Sequence, residues 1–506
     1  MAIPLRRRAL LAGAIVAIPA LGLYLTTLMP DVGFWDTAEF QAVGPVLGIA
    51  HPTGYPAFTL LAWLASVVFQ PFGNEALRAN MLSAVLGAGG VGIVAVTAAL
   101  LTRRLVIGIA AGATLAVSAQ AWSISLHADP HALHLFMASL ILLLLAVWSQ
   151  RVRAGRPADR WLVAAAIAYG VSLGNHGLTF LLAPAIAIFV FLVEPGIVRR
   201  PRLIVACAGA LAVTTVLLYL YLPIRSSMNP PLDYGNPETW DGFRYLVFAE
   251  QFRGEFRGLP DLIGGLGLIV GHTFGQLGLL AVLAVLGSLA AAWRLPQLLV
   301  LLIGWFGLNW FFALTYVNAD IERYYLVPLM AAAVLGALGA GALWDALAMF
   351  SPPATRLAET VRALVVAAVL IVPPVLAVPV RHEQVDQSGQ TLARAWLTDV
   401  TRELPPNALV VSWWSYSTAL WYGQFVEGLR PDVTVLDDST IVTRGLGDAQ
   451  QVIDVNLGVR PVFLIRLPFD MPAFQARYTL TPLSGIRFGE IYRVERLSGA
   501  AAGSLL

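Results

Sequence analysis

Two carboxylates, Asp36 and Glu39, open the stretch "DTAEF", and His51 follows at the head of "HPTGYP". A carboxylate within hydrogen-bonding reach of a hydroxyl can take its proton as that oxygen displaces a phosphate from carbon. Such a step also needs a cationic or N–H-rich site for the departing phosphate. The same Asp-x-x-Glu spacing before an apolar-periodic run also fits a helix capping box, in which Asp36 accepts a backbone N–H and Glu39 reaches back. Capping and catalysis are compatible, since one carboxylate accepts several hydrogen bonds. His51 either sits in an ordinary turn set by Pro52, Gly54 and Pro56 or donates to a phosphate or acceptor from a stiff mount. Arg225 in "LPIRSS" and Arg323 in "NADIERYYLVP" are each either interfacial anchors or forks for a phosphate, and Asp320 and Glu322 are alternative partners for Arg323. His127, His131 and His134 are not expected to bind a metal, because Pro130 interrupts their helical register.

These groups must be positioned by a chain that is 58% apolar and 12% charged over 506 residues, with mean hydropathy +0.74. That balance implies a polytopic α-helical membrane protein. Apolar stretches of roughly 17 to 25 residues recur, each able to cross about 30 Å of hydrocarbon. They predict about 11 transmembrane helices, near residues 9–29, 77–101, 105–121, 133–149, 161–175, 177–193, 203–222, 262–291, 297–316, 324–348 and 363–380. The first resembles a signal peptide but is long and lacks a small-residue cleavage site, so it reads as a retained anchor. Arginines crowd alternate connections, such as Arg6-Arg7-Arg8, Arg103-Arg104 and residues 151–160 and 199–202, which places the amino terminus in the cytoplasm. Asp36, Glu39, His51, His176, Arg225 and Arg323 then all fall on the outer side, where ionisable groups at the membrane margin point to a site. The chain has no lysine, and its single cysteine, Cys207, excludes a disulfide framework.

Residues 1–380 read as the membrane domain, with 30–76 as a first outer loop in which 55–70 forms an interfacial or re-entrant helix. Residues 381–506 read as an extracytoplasmic α/β domain. Helices are expected over 387–403, 416–427 and 450–457, and strands over 408–412, 433–436 and 461–465. No Gly-rich phosphate loop appears there.

"DTAEF", "GIAHPTGYPAF" and "ANMLSAVLGA", followed by "SLGNHGLTFLLAP", "LPIRSSMNPPLDYGNP", "LPPNALVVSWW" and "YGQFVEGLRPDV", resemble in order and spacing a membrane family once described as a domain of unknown function. Its animal members include protein O-mannosyltransferases, and its layout is similar to the GT-C superfamily of membrane glycosyltransferases. The resemblance implies a polyprenyl-phosphate sugar as donor, a catalytic carboxylate in the first outer loop and inversion at the anomeric carbon. It further implies an acceptor hydroxyl on a protein Ser or Thr or on a glycan. Carried onto this chain, Asp36 is the catalytic base and Glu39 its neighbour or catalytic substitute, while His51, Tyr55, His176 and Arg225 match motif positions as substrate-binding residues; Arg323 is a candidate phosphate ligand from the residues alone. No cofactor, metal or nucleic acid is expected, and the expected location is a bacterial plasma membrane with the site facing outward. Two segments depart from the family pattern: Asp129-Pro130-His131 stands where a Glu-Val-Tyr-like segment is expected, and Ser412-Trp413-Trp414 lacks a Gly-Asp. The rival readings are a lipid-linked glycan transporter, which would need polar groups through the inner halves of the spans, and a non-catalytic lipid-sugar sensor.

Overall fold

The computed structural model describes residues 5–256, 258, 261–349 and 356–497. Each apolar stretch forms helix. The long ones are α1 (Leu5–Thr26), then, past the loop helices α2 (Trp35–Val46) and α3 (Pro56–Val68), α4 (Glu75–Thr102). After α4 come the shorter α5 (Leu105–Ala116) and α6 (Ala119–Ile124), then α7 (Pro130–Arg153), α8 (Asp159–Leu173) and α9 (Ala183–Val193). α10 (Pro201–Tyr219) continues into α11 (Tyr221–Ser226), and the loop helix α12 (Trp240–Val247) precedes α13 (Leu262–Leu277), α14 (Leu279–Arg294), α15 (Pro296–Thr315), α16 (Leu326–Met349) and α17 (Arg356–Val385).

Seven helices among the described residues are long and apolar enough to cross a membrane, or up to eight if α13 and α14 count as one broken span. The remaining expected spans are helical but short. Ser118 caps α6 where 105–121 was expected to continue, and α8 ends at Gly174-Asn175-His176 ahead of a 3-10 turn (Gly177–Leu182) leading to α9. α13 and α14 meet at 113° across Gly278, whose φ of +53° suits a residue without Cβ. Close packing fixes α14 on α16: a Cβ on Gly287 would lie 1.8 Å from the Leu335 carbonyl oxygen, so only glycine admits that approach.

Beyond α17, which runs past the boundary expected at 380, lies the α/β layer. It holds α18 (Leu392–Glu403), β1 (Leu409–Ser412), α19 (Trp414–Trp421), β2 (Thr434–Asp437), α20 (Asp438–Thr443), α21 (Ala449–Asn456), β3 (Val462–Leu464), α22 (Met471–Gln475), β4 (Tyr478–Pro482) and β5 (Tyr492–Arg496). The sheet order is β2-β1-β3-β5-β4; β1 pairs parallel with β2 and β3, and the last two strands add an antiparallel hairpin. The buried Leu409-Val410-Val411 reads as a continuous apolar run because helices cover both its faces, α18 over Val410 and α21 over Leu409 and Val411. β4 and β5 were not anticipated, since strands such as Tyr-Arg-Val-Glu-Arg are largely exposed and look like charged surface.

This layer is bolted to the segment that joins α1 to α4. Arg394 spans Asp31 (2.7 Å) and Glu427 (2.7 Å), the Tyr422 hydroxyl accepts the Ala76 N–H at 3.1 Å, and Phe34 packs edge-on against Trp396 and Tyr416.

Candidate active site

The start of α2 departs from the capping box that its sequence suggests. The helix begins at Trp35, its N-cap is Phe34 with no side-chain cap, and Asp36 lies within the first turn. The chain entering α2 is held instead by Gln41, whose Oε1 accepts the Gly33 N–H at 2.9 Å and whose amide donates to Asn80 at 2.9 Å. Asp36 is thereby released from backbone duty. Its side chain is 31% exposed, against 3% for Glu39, one helical turn on. That difference separates their roles.

Glu39 turns inward. One oxygen accepts the His51 backbone N–H at 2.8 Å, and the other makes a short bond with His51 Nδ1. The "HPTGYP" turn is thus tied to α2 by its histidine, and Ala57 N–H donates to the Gly174 carbonyl at 2.9 Å to tie it to α8. Burial opposes an isolated imidazolium here, but the Glu39 carboxylate outweighs it and lifts the His51 pKa to about 9. The stability linked to that shift is complete below about pH 6.5, the unfolded value, and is lost as pH rises through about 9. The wild-type melting temperature in detergent is expected to fall between about pH 7 and 9.5 more steeply than that of His51→Gln. Parallel profiles would show that the pair carries no such linkage.

Asp36 Oδ2 lies 3.2 Å from Arg323, which also contacts Asp320 at 2.9 Å and Asp129 at 3.6 Å. Asp129 caps α7, accepting the His131 N–H at 2.7 Å with Pro130 in the first turn. Burial works against its charge, but Arg323 and His131 hold its carboxyl well below the usual range. The guanidinium is therefore a hub for carboxylates from three separate parts of the chain.

These groups border a cavity of about 1170 Å³ lined by Asp36, His51, Tyr55, His131, His176, Arg323 and Tyr324 on the membrane-domain side. Phe252, Phe256, Phe312 and Tyr316 form an apolar flank, and Trp413, Trp414, Asp437 and Ser439 close it from the α/β layer. Trp414 meets His51 and Tyr234 edge-on at 5.8 and 5.7 Å, so the layer forms a wall of the cavity.

Residues 36–196 match the family model described as the protein O-mannosyl-transferase TMEM260 N-terminal domain. The mouse (Mus musculus) protein O-mannosyl-transferase TMEM260 is 26% identical over 471 residues, covering 86% of this chain; the chain spans only 63% of that relative's length. ArnT from Cupriavidus metallidurans, solved with undecaprenyl phosphate, superposes with a TM-score of 0.60 at 13% identity over 96% of this chain and 98% of its own. The archaeal oligosaccharyltransferase AglB from Archaeoglobus fulgidus, solved with an inhibitory peptide and a dolichol-phosphate, gives a TM-score of 0.53 at 16% identity over 84% of this chain and 64% of its own. Over residues 36–196 the chain is similar to the TMEM260 N-terminal domain, and its fold is the GT-C fold of the ArnT and AglB structures.

Within that GT-C fold, Asp36, His51, Tyr55, His176 and Arg323 converge on the cavity, whereas Glu39 and Arg225 do not line it. Arg225 donates to the Leu47 carbonyl at 2.7 Å and to Val46 at 3.0 Å, satisfying the carboxyl end of α2, where its charge also suits the helix dipole. Its expected role as a phosphate ligand is therefore corrected to a clamp on α2. Arg225→Gln should lower stability by about 1 to 2 kcal/mol with the affinity for donor unchanged, checked by melting and by donor titration. Asp129, His131 and Trp414 belong to the cavity or its support but were not singled out as site residues. In the sequence Asp129-Pro130-His131 and Ser412-Trp413-Trp414 stand as departures from the family pattern, and only their neighbours in space give them a role.

Proposed function

We propose that this protein is a glycosyltransferase that moves a sugar from a polyprenyl phosphate to an acceptor hydroxyl. The mouse relative's activity supports mannose as the sugar and a protein Ser or Thr as the acceptor. The observation that carries the reading is Asp36, a carboxylate that leaves the helix cap, reaches the cavity and is held there by Arg323.

In this reading the acceptor hydroxyl gives its proton to Asp36 as its oxygen bonds to the anomeric carbon. The bond from that carbon to the phosphate oxygen breaks, and polyprenyl phosphate departs with the electron pair, inverting the centre. Arg323 offers the departing phosphate a planar fork, so the reading calls for no metal or other cofactor. His51, clamped by Glu39, borders the same space, and the aromatic flank suits the first prenyl units. The ArnT structure holds a lipid phosphate within this fold, which supports a lipid-linked donor. The arginine distribution supports an outward-facing site with the α/β layer outside the membrane.

The test supplies the purified protein in vesicles with radiolabelled citronellyl-phosphate mannose and a Ser/Thr-rich peptide. Mannosyl-peptide should accumulate together with citronellyl phosphate. Transfer from a nucleotide sugar but not from the lipid phosphate would overturn the proposal, as would vectorial movement of the lipid without transfer.

A further inference from the structure

The floor of the cavity contains two histidines whose ring nitrogens are set in opposite senses. His131 Nδ1 lies 2.8 Å from Asp129 Oδ1, and Asp129 is held as a carboxylate, so Nδ1 carries the proton and donates it. In the neutral ring His131 Nε2 is the acceptor, and among the described residues it is buried without a partner, although the residue lines the cavity and is only 5% exposed. His176 is arranged the other way: its Nδ1 accepts the Leu178 N–H at 3.0 Å. Burial, with His131 and His134 beside it, keeps His176 well below the ordinary imidazole value. The neutral ring therefore carries its proton on Nε2, a donor. The two rings are 4.5 Å apart, and Tyr324 stacks on His131 at 5.6 Å, which fixes its plane.

A buried acceptor beside a donor suits one kind of ligand group. Phosphate oxygens offer lone pairs but no hydrogen to a nitrogen acceptor, and a prenyl chain offers neither. A hydroxyl supplies both, and a pyranose carries several. We propose that His131 and His176 together read the sugar of the donor, His131 Nε2 accepting the O–H of one hydroxyl and His176 Nε2–H donating to that oxygen or its neighbour. This rests on the glycosyltransferase reading above and adds which face of the cavity selects the sugar. Asp129 meets His131 at Nδ1 and Arg323 meets the same carboxylate, so one network holds the cation for the phosphate and orients the acceptor nitrogen for the sugar. Leaving His131 Nε2 unpaired when the matching hydroxyl is missing is the source of discrimination.

The test measures binding to the full chain carrying Asp36→Asn, so that bound donor is not consumed. Citronellyl-phosphate mannose is titrated against its 2-, 3-, 4- and 6-deoxy forms and against citronellyl phosphate alone. One deoxy form should bind at least about ten-fold more weakly than the parent. In the added His131→Phe background that difference should vanish, whereas His131→Gln, which keeps an acceptor oxygen, should retain part of it. Equal affinity of all deoxy forms for protein with His131 intact overturns the inference without any His131 variant. So does discrimination that survives His131→Phe, or a mannose donor that binds no better than citronellyl phosphate. Failure of the catalytic reading looks different: Asp36→Asn would then transfer sugar at the wild-type rate, whatever the deoxy series shows.

Discussion

Asp36→Asn is expected to leave a folded protein that binds donor and transfers sugar about a thousand-fold more slowly, the usual scale for losing a positioned general base. The substitution is nearly isosteric, and the structure leaves little for it to disturb. Asp36 caps no backbone group, α2 begins one residue earlier, and the chain entering the helix is held by Gln41. One oxygen of the side chain faces Arg323, and an amide oxygen can still accept there. What Asn lacks is the capacity to take a proton. The measurement is initial rate against donor concentration, with melting temperature as the control for fold. A fall in kcat at near-constant KM supports the base; undiminished transfer removes Asp36 from the chemistry. Glu39→Gln should differ, because Glu39 is buried behind His51 and acts on the mount of the "HPTGYP" turn.

Arg323→Met should abolish measurable transfer and also destabilise the protein. Asp129 is 2% exposed at the side chain, and stripping a buried charge of its partner costs about 3 to 5 kcal/mol. Asp36 loses its tether in the same step. Arg323→Met combined with Asp129→Asn removes the stranded charge, so it should recover most of the melting temperature while transfer stays absent. That separation distinguishes a cation needed for the phosphate from one needed only for folding. Recovery of transfer in the double variant would show that Arg323 is structural. Arg323→Lys keeps the charge but loses the fork and should fall between the two, with donor KM raised about ten-fold or more.

Much of this architecture is legible residue by residue. The helices follow from apolar stretches too long for an aqueous core, and β1, β2 and β3 lie within about two residues of where turn chemistry and apolar runs put them. Local patterns mislead where a polar group has a choice of partners. The Asp36–Glu39 spacing fits a cap, yet the helix starts at Trp35 and Glu39 turns to His51, a partner visible only once the "HPTGYP" turn folds back over α2. Arg225 ends its span like a lipid-phosphate ligand, yet the carbonyls at the end of α2 reach it first. The bend between α13 and α14 is likewise hidden, since an apolar window reads through Gly278 without registering its backbone.

By itself, then, the sequence determined that this chain builds a helical membrane bundle with an α/β layer, and that its polar residues gather toward one margin. Hydropathy, arginine placement and turn residues are sums over near neighbours, so no folding is needed to read them. Only the tertiary structure decided which of those polar residues work together. Asp36 and Arg323 are 287 positions apart, and Asp129 joins them from the head of a third helix. Electrostatic and hydrogen-bond energies fall steeply with distance in space and take no account of distance along the chain. The folded contacts therefore assigned Asp36 to the cavity, Glu39 to its support and Arg225 to a helix end.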